Sequence, residues 1–142
     1  MFLYWFSVAL AVLANVFYHI IQKQTPMNVN PALTLAVTYF TAAAVCFVAF
    51  LLYPGRAGLV ESFKGLNWTA FALGIAIIGL ELGFLLAYRA GWNVNSAALL
   101  VNISVSVLLV PVGMLLFREG FKPINALGML LCLAGLFLMS KR

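Results

Sequence analysis

Residues 68–88 read WTAFALGIAIIGLELGFLLAY, a run of 21 residues with one charge, Glu81, near its middle. An α-helix rises about 1.5 Å per residue against a hydrocarbon core of about 30 Å, so about 20 apolar residues cross a bilayer. This run has that length. Four others share its length and apolarity: Phe2–Ile21, Ala32–Tyr53, Ala97–Phe117 and Pro123–Ser140, the last being the shortest. The expected fold is an all-α membrane protein with five transmembrane helices in a single domain over residues 1–142.

Composition points the same way. Of the 142 residues 65% are apolar and 8% are charged, and the mean hydropathy is +1.12. A soluble domain runs near 25% charged, so this chain lacks the polar surface to cover its hydrocarbon in water. That excludes a soluble enzyme, a DNA-binding domain and a disordered tail. The net charge of +5 rests on eight scattered Lys and Arg residues. They read as loop cations at a membrane surface, not as a nucleic-acid patch.

The breaks between runs carry helix-stopping chemistry. Gln22–Pro31 holds Lys23, Pro26, Asn28 and Asn30. Pro54-Gly55-Arg56 ends the second run, and Glu61, Lys64 and Asn67 fill the loop after it. Arg89–Ser96 makes the third loop, with Ser96 as the expected N-cap. Arg118-Glu119-Gly120 to Pro123 makes the fourth, with Gly120 stopping one helix and Pro123 starting the next. The first run lacks a basic leader and a small-residue cleavage site, so it reads as a retained helix. Trp5, Trp68, Trp92, Tyr53 and Tyr88 lie near run ends, as an aromatic belt requires.

Loop cations normally fix orientation. With the N-terminus outside, Lys23, Arg89, Lys141 and Arg142 lie inside and Arg56, Lys64, Arg118 and Lys122 outside, four against four. Either the chain inserts both ways, or its first helix or a partner decides.

Polar residues inside a span are costly and therefore informative. Glu81 shares a helix face with Gly74 and Tyr88 at seven-residue steps, while Gly79, Gly83, Ala87 and Gly91 recur every four residues on the other. The first face is expected to aim a carboxyl at a cavity or partner, as a proton or cation site or as a structural hydrogen bond between helices. The second is expected to receive a packed helix. Two softer stripes are Asn15 and His19 in the first run, with Tyr18 beside them, and Asn95, Asn102 and Ser106 in the fourth. Asn15 and Asn102 lie deeper, and His19 nearer the interface. The candidate substrate or proton-binding set is thus Glu81, Asn15, Asn102, Tyr88, Ser106 and His19. Thr34, Thr38 and Thr41 are expected to bond back to their own helix. Cys46 and Cys132 sit in apolar runs and read as packing residues. One histidine and no aspartate leave no catalytic set, no metal site and no cofactor site.

The tail SAALLVNISVSVLLVPVGMLLFREGFKPINALGMLLCLAGLFLM has a small-residue start, an expected mid-helix break near Pro111, then Arg118-Glu119, and Gly128 and Gly135 seven apart. With Gln22-Lys23 and a proline loop after the first run, ALTLAVTYFTAAAVCF in the second and LLAYRAG closing the third, the chain resembles the EamA-like domain of the drug/metabolite transporters along essentially its whole length. The resemblance implies one five-helix repeat of a fold whose full-length members carry two. It assigns Gly128 and Gly135 to helix packing and Glu119 to a structural role. Small multidrug-resistance relatives carry their essential glutamate in the first helix, and this first helix has none.

A single repeat is half a transporter, since such folds place substrate near the midplane between inverted repeats. The expected partner is a second copy, antiparallel, or an oppositely oriented paralogue. The pair would move a small organic metabolite or cation by alternating access in a prokaryotic plasma membrane. Two other classes share the pattern: a flippase subunit for a lipid-linked substrate, with a lateral groove, and a non-transporting membrane subunit.

Overall fold

A computed structural model describes residues 2–53, 58–118, 120 and 122–140. Its elements are α1 Phe2–Gln24, α2 Pro31–Leu52, α3 Leu59–Lys64, α4 Trp68–Arg89, α5 Val94–Leu116 and α6 Pro123–Ser140, with no strand among the described residues. The protein is an all-helical membrane protein. By length and composition α1, α2, α4 and α5 can each cross a bilayer. The fifth long helix, α6, has 18 residues and a shorter apolar stretch, Pro123–Gly135. Large apolar side chains such as Phe40, Leu52 and Leu115 are about 80% exposed. A soluble chain would bury them, whereas lipid covers them here.

The chain forms two compact units. One holds α2, α3 and α4. Its long helices pack on each other, and Leu35 of α2 and Phe84, Leu85 and Tyr88 of α4 are buried. The other unit holds α1, α5 and α6. There α5 packs on α6, and His19, Ala97 and Gly113 are buried.

Local chemistry sets the helix ends. Asn30 caps α2, its Oδ1 accepting from the Ala32 amide at 2.8 Å, and Pro31 occupies the first helical position, where a missing N–H costs nothing. The Asn67 Oδ1 accepts from the Thr69 amide at 3.0 Å at the start of α4 and is also bonded by the Thr69 hydroxyl. The hydroxyls of Thr34, Thr38 and Thr41 donate to the carbonyls of Asn30, Thr34 and Val37, as expected for threonines in an apolar helix.

Several boundaries differ from expectation. The stretch read as the second loop contains a short helix, α3, with Glu61 in its first turn and Lys64 in its last, each at the favourable end of the helix dipole. Helix α5 begins at Val94 with Asn93 in the capping position, so Ser96 is not the N-cap. The Asn95 side chain holds Ser96 instead, accepting from its amide at 2.9 Å. Pro111 does not break α5, which runs through it. Proline removes one rung, which membrane helices tolerate. The left-handed residue after α5 is Arg118, at φ 54°, and not Gly120. Pro54-Gly55-Arg56, Glu119, Lys141 and Arg142 lie outside the described residues, so the roles expected of them do too.

Gly91 is not on the α4 face, because α4 ends at Arg89. It stands in the turn that follows, at φ 94°. A side chain disfavours that conformation by roughly 1–2 kcal/mol, so Gly91→Ala should destabilise the chain by about that much in a denaturant titration in detergent. Arg118→Gly should have the opposite sign, a gain of up to about 1 kcal/mol in the same titration, because glycine carries no penalty in the left-handed region.

Candidate functional site

In the unit of α2, α3 and α4, Glu81 is half-buried on the face of α4 that also carries Phe84, Leu85 and Tyr88. The three neighbours are bulky and buried, and Leu85 is 1% exposed. Phe84 and Tyr88, one turn apart, stack with ring centroids 6.0 Å apart. Bulky side chains fill the space between packed helices, which explains why this face is the covered one.

Opposite Glu81 stands Tyr39 of α2, also half-buried. Its hydroxyl lies near the Glu81 carboxyl, and the Tyr39 Oη, enclosed like Glu81 Oε2, forms no hydrogen bond among the described residues. Sequence reading missed Tyr39. A tyrosine in an apolar run resembles any other aromatic, and only its position one helix away from a carboxyl distinguishes it. Glu81 is the one charged residue, among those described, that lies away from the ends of the long helices.

The two α4 faces are thus divided within this unit. The carboxyl face is packed on the inside of its own unit. The small-residue face is open: nothing lies within 4 Å of where a Cβ would stand on Gly79 or Gly83, and Ala87 is half-buried. Gly74 is likewise open.

Arg89 closes this unit at one end. Its Nη2 donates to the carbonyls of Pro26 at 3.1 Å and Val29 at 2.8 Å, tying the end of α4 to the segment before α2. Read from sequence as a surface cation, it serves as a clasp.

In the unit of α1, α5 and α6, His19 is 6% exposed and meets the Tyr18 ring edge-on at 5.0 Å. Asn15, one turn earlier, is exposed. The structure thus encloses the residue expected nearer the interface and leaves the deeper one outward. Lys23 donates to the Trp92 carbonyl at 2.8 Å, fastening the end of α1 to the segment before α5. Asn102 and Ser106 line a groove of about 400 Å³ on the α5–α6 pair, with Asn125, Gly128 and Cys132 across from them. The Ser106 hydroxyl donates to the Asn102 carbonyl at 2.8 Å. Asn125 was not anticipated, although a carboxamide in an otherwise apolar run, seven residues from Cys132, was a readable signal. Gly128 and Gly135 have no atom within 4 Å of a Cβ position.

Among the described residues no group of three His, Cys, Asp or Glu side chains could hold a metal ion. What the site offers is one carboxyl with a phenol near it inside a helix pair, and a separate uncharged polar groove.

The sequence model of the EamA-like transporter family matches residues 3–141. No curated protein and no solved structure matches the chain.

Proposed function

The chain belongs to the EamA-like transporter family, and from that membership we propose that it is one half of a membrane transporter completed by a second copy in the opposite orientation. It is an integral, multi-pass membrane protein of a transporter family. The substrate is a small organic metabolite or cation, moved by alternating access between the two halves, with Glu81 as the site where a proton and the substrate compete and Tyr39 as its partner. The membrane is the plasma membrane of a prokaryote.

The observation that carries this reading is the placement of Glu81. A carboxyl within a span costs roughly 2–3 kcal/mol on insertion scales. Here it is set half-buried between two packed helices beside a phenol. Ionisable groups at such depth mark ion pathways. The four-four tally of loop cations supports opposed insertion, because it removes the bias that selects one orientation.

The test is a pair of reporters fused after residue 142, one active only in the cytoplasm and one only outside. Comparable signals from both support the antiparallel pair. A signal from one alone overturns it for this chain by itself and directs attention to an oppositely oriented paralogue.

A further inference from the structure

Helix α3 is six residues long, and isolated helices shorter than about 12–15 residues are marginal in water. Packing normally supplies the missing stability. Here none of its residues is buried, and among the described elements it packs on no other helix. Its support must come from elsewhere.

Once the backbone is helical, the side chains separate by face. Leu59, Val60 and Phe63 fall within an arc of about 100°, and Leu66 in the turn beyond extends that arc. Glu61, Ser62 and Lys64 take the remainder. All four apolar side chains are exposed. The charges of Glu61 and Lys64 cancel, so what α3 presents is an apolar face with a neutral polar back.

Its tether identifies what covers that face. The helices on either side, α2 and α4, have the length and apolarity of membrane spans. Only residues 65–67 join Lys64 to Trp68, a connection that reaches about 14 Å at most when extended. It is folded tight instead: the Gly65 amide donates to the Glu61 carbonyl at 3.3 Å and the Leu66 amide to the Phe63 carbonyl at 3.1 Å. Helix α3 is therefore held at the end of a span, where water gives way to acyl chains. Trp68, 76% exposed at the start of α4, suits that level too. The apolar surface is also continuous with the span. Leu66 lines a groove of about 570 Å³ at the elbow together with Ala72, Leu73 and Ala76 of α4.

We propose that α3 is an interfacial helix. It lies in the plane of the membrane surface, with Leu59, Val60 and Phe63 immersed at the boundary of headgroups and acyl chains and with Glu61 and Lys64 turned to water. It acts as a float that fixes how deep α4 sits. Glu81 lies about 20 Å along α4 from Trp68, so the float also sets the depth of that carboxyl.

The test uses the full chain in phosphatidylcholine vesicles. In a background of Cys46→Ser and Cys132→Ser, a nitroxide is attached in turn to Leu59→Cys, Val60→Cys, Glu61→Cys, Phe63→Cys and Lys64→Cys. All five positions are exposed, so the label disturbs no packing. Electron paramagnetic resonance reads collisions with oxygen, which dissolves among acyl chains, and with a nickel chelate, which stays in water. Labels at positions 59, 60 and 63 should meet oxygen and exclude nickel, at a depth of about 5–10 Å. Labels at positions 61 and 64 should meet nickel. Adding Phe63→Asp to the Val60→Cys chain should bring nickel to that label. Nickel at all five positions places α3 in water and overturns the proposal. Exclusion of both reagents at positions 59, 60 and 63 overturns it in favour of a protein surface over α3. A Val60→Cys label that stays immersed despite Phe63→Asp overturns the role of the apolar face.

Discussion

Vesicles carrying the Glu81→Gln protein should fail to accumulate substrate against a gradient. A pH difference of one unit is worth about 1.4 kcal/mol, so a one-for-one proton exchanger concentrates its substrate about tenfold in vesicles one unit more acidic inside. Across a panel of small organic cations and zwitterions, the natural chain should reach that ratio with its substrate, and Glu81→Gln should return it to that of protein-free vesicles. Glutamine keeps the shape of the side chain and can accept from a neighbouring hydroxyl, but its carboxamide takes up no proton in place of the carboxylate. Thermal stability in detergent should therefore stay close to that of the natural chain. Those two results together separate transport from structure. A Glu81→Gln protein that still concentrates substrate tenfold makes the carboxyl a helix fastener and nothing more.

The second large effect falls on stability. Arg89→Leu removes the donor to two carbonyls, those of Pro26 and Val29. Hydrogen bonds from a charged group contribute about 1.5–3 kcal/mol each when sheltered, and this side chain is half-exposed, so a loss of about 2–3 kcal/mol in all is expected. Lys23→Met removes one bond, to the Trp92 carbonyl, from an exposed side chain, and should cost no more than about 1 kcal/mol. Denaturant titrations of both variants in the same detergent give the comparison. An Arg89→Leu change no larger than that of Lys23→Met would mean that the loop holds its shape without the clasp.

What sequence revealed and what it hid follow from the range of the forces involved. Apolar run length is a local property, so α1, α2, α4, α5 and α6 were legible to within about three residues at each end. Threonine back-bonding is equally local and was read correctly. The six residues of α3 were hidden, because a helix that short has no periodicity to display and takes its form from Gly58, Gly65 and its placed charges. The start of α5 was ambiguous because Asn93, Asn95 and Ser96 can all cap a helix, and only the folded backbone selects one. Which face of α4 meets α2 was not legible, since bulky residues and glycines are both packing signals and sequence does not say which meets the nearer helix. Tyr39 was invisible for the same reason: its partner, Glu81, is remote in sequence and near only across a helix pair.

Pro111 has a mechanical consequence. It has no N–H to offer Val107, so α5 is missing a rung at the level of the groove Val107 helps to line. At the other end of the same helix, the Trp92 carbonyl is held by Lys23. Helix α5 is thus a rod pinned at its foot and jointed about 25 Å higher, at about 1.5 Å per residue. Bending at Pro111 strains one hydrogen bond fewer than bending elsewhere in the helix, because the bond to Val107 is already absent. Compliance is stored inside a helix, where a rocking motion can draw on it without melting a loop.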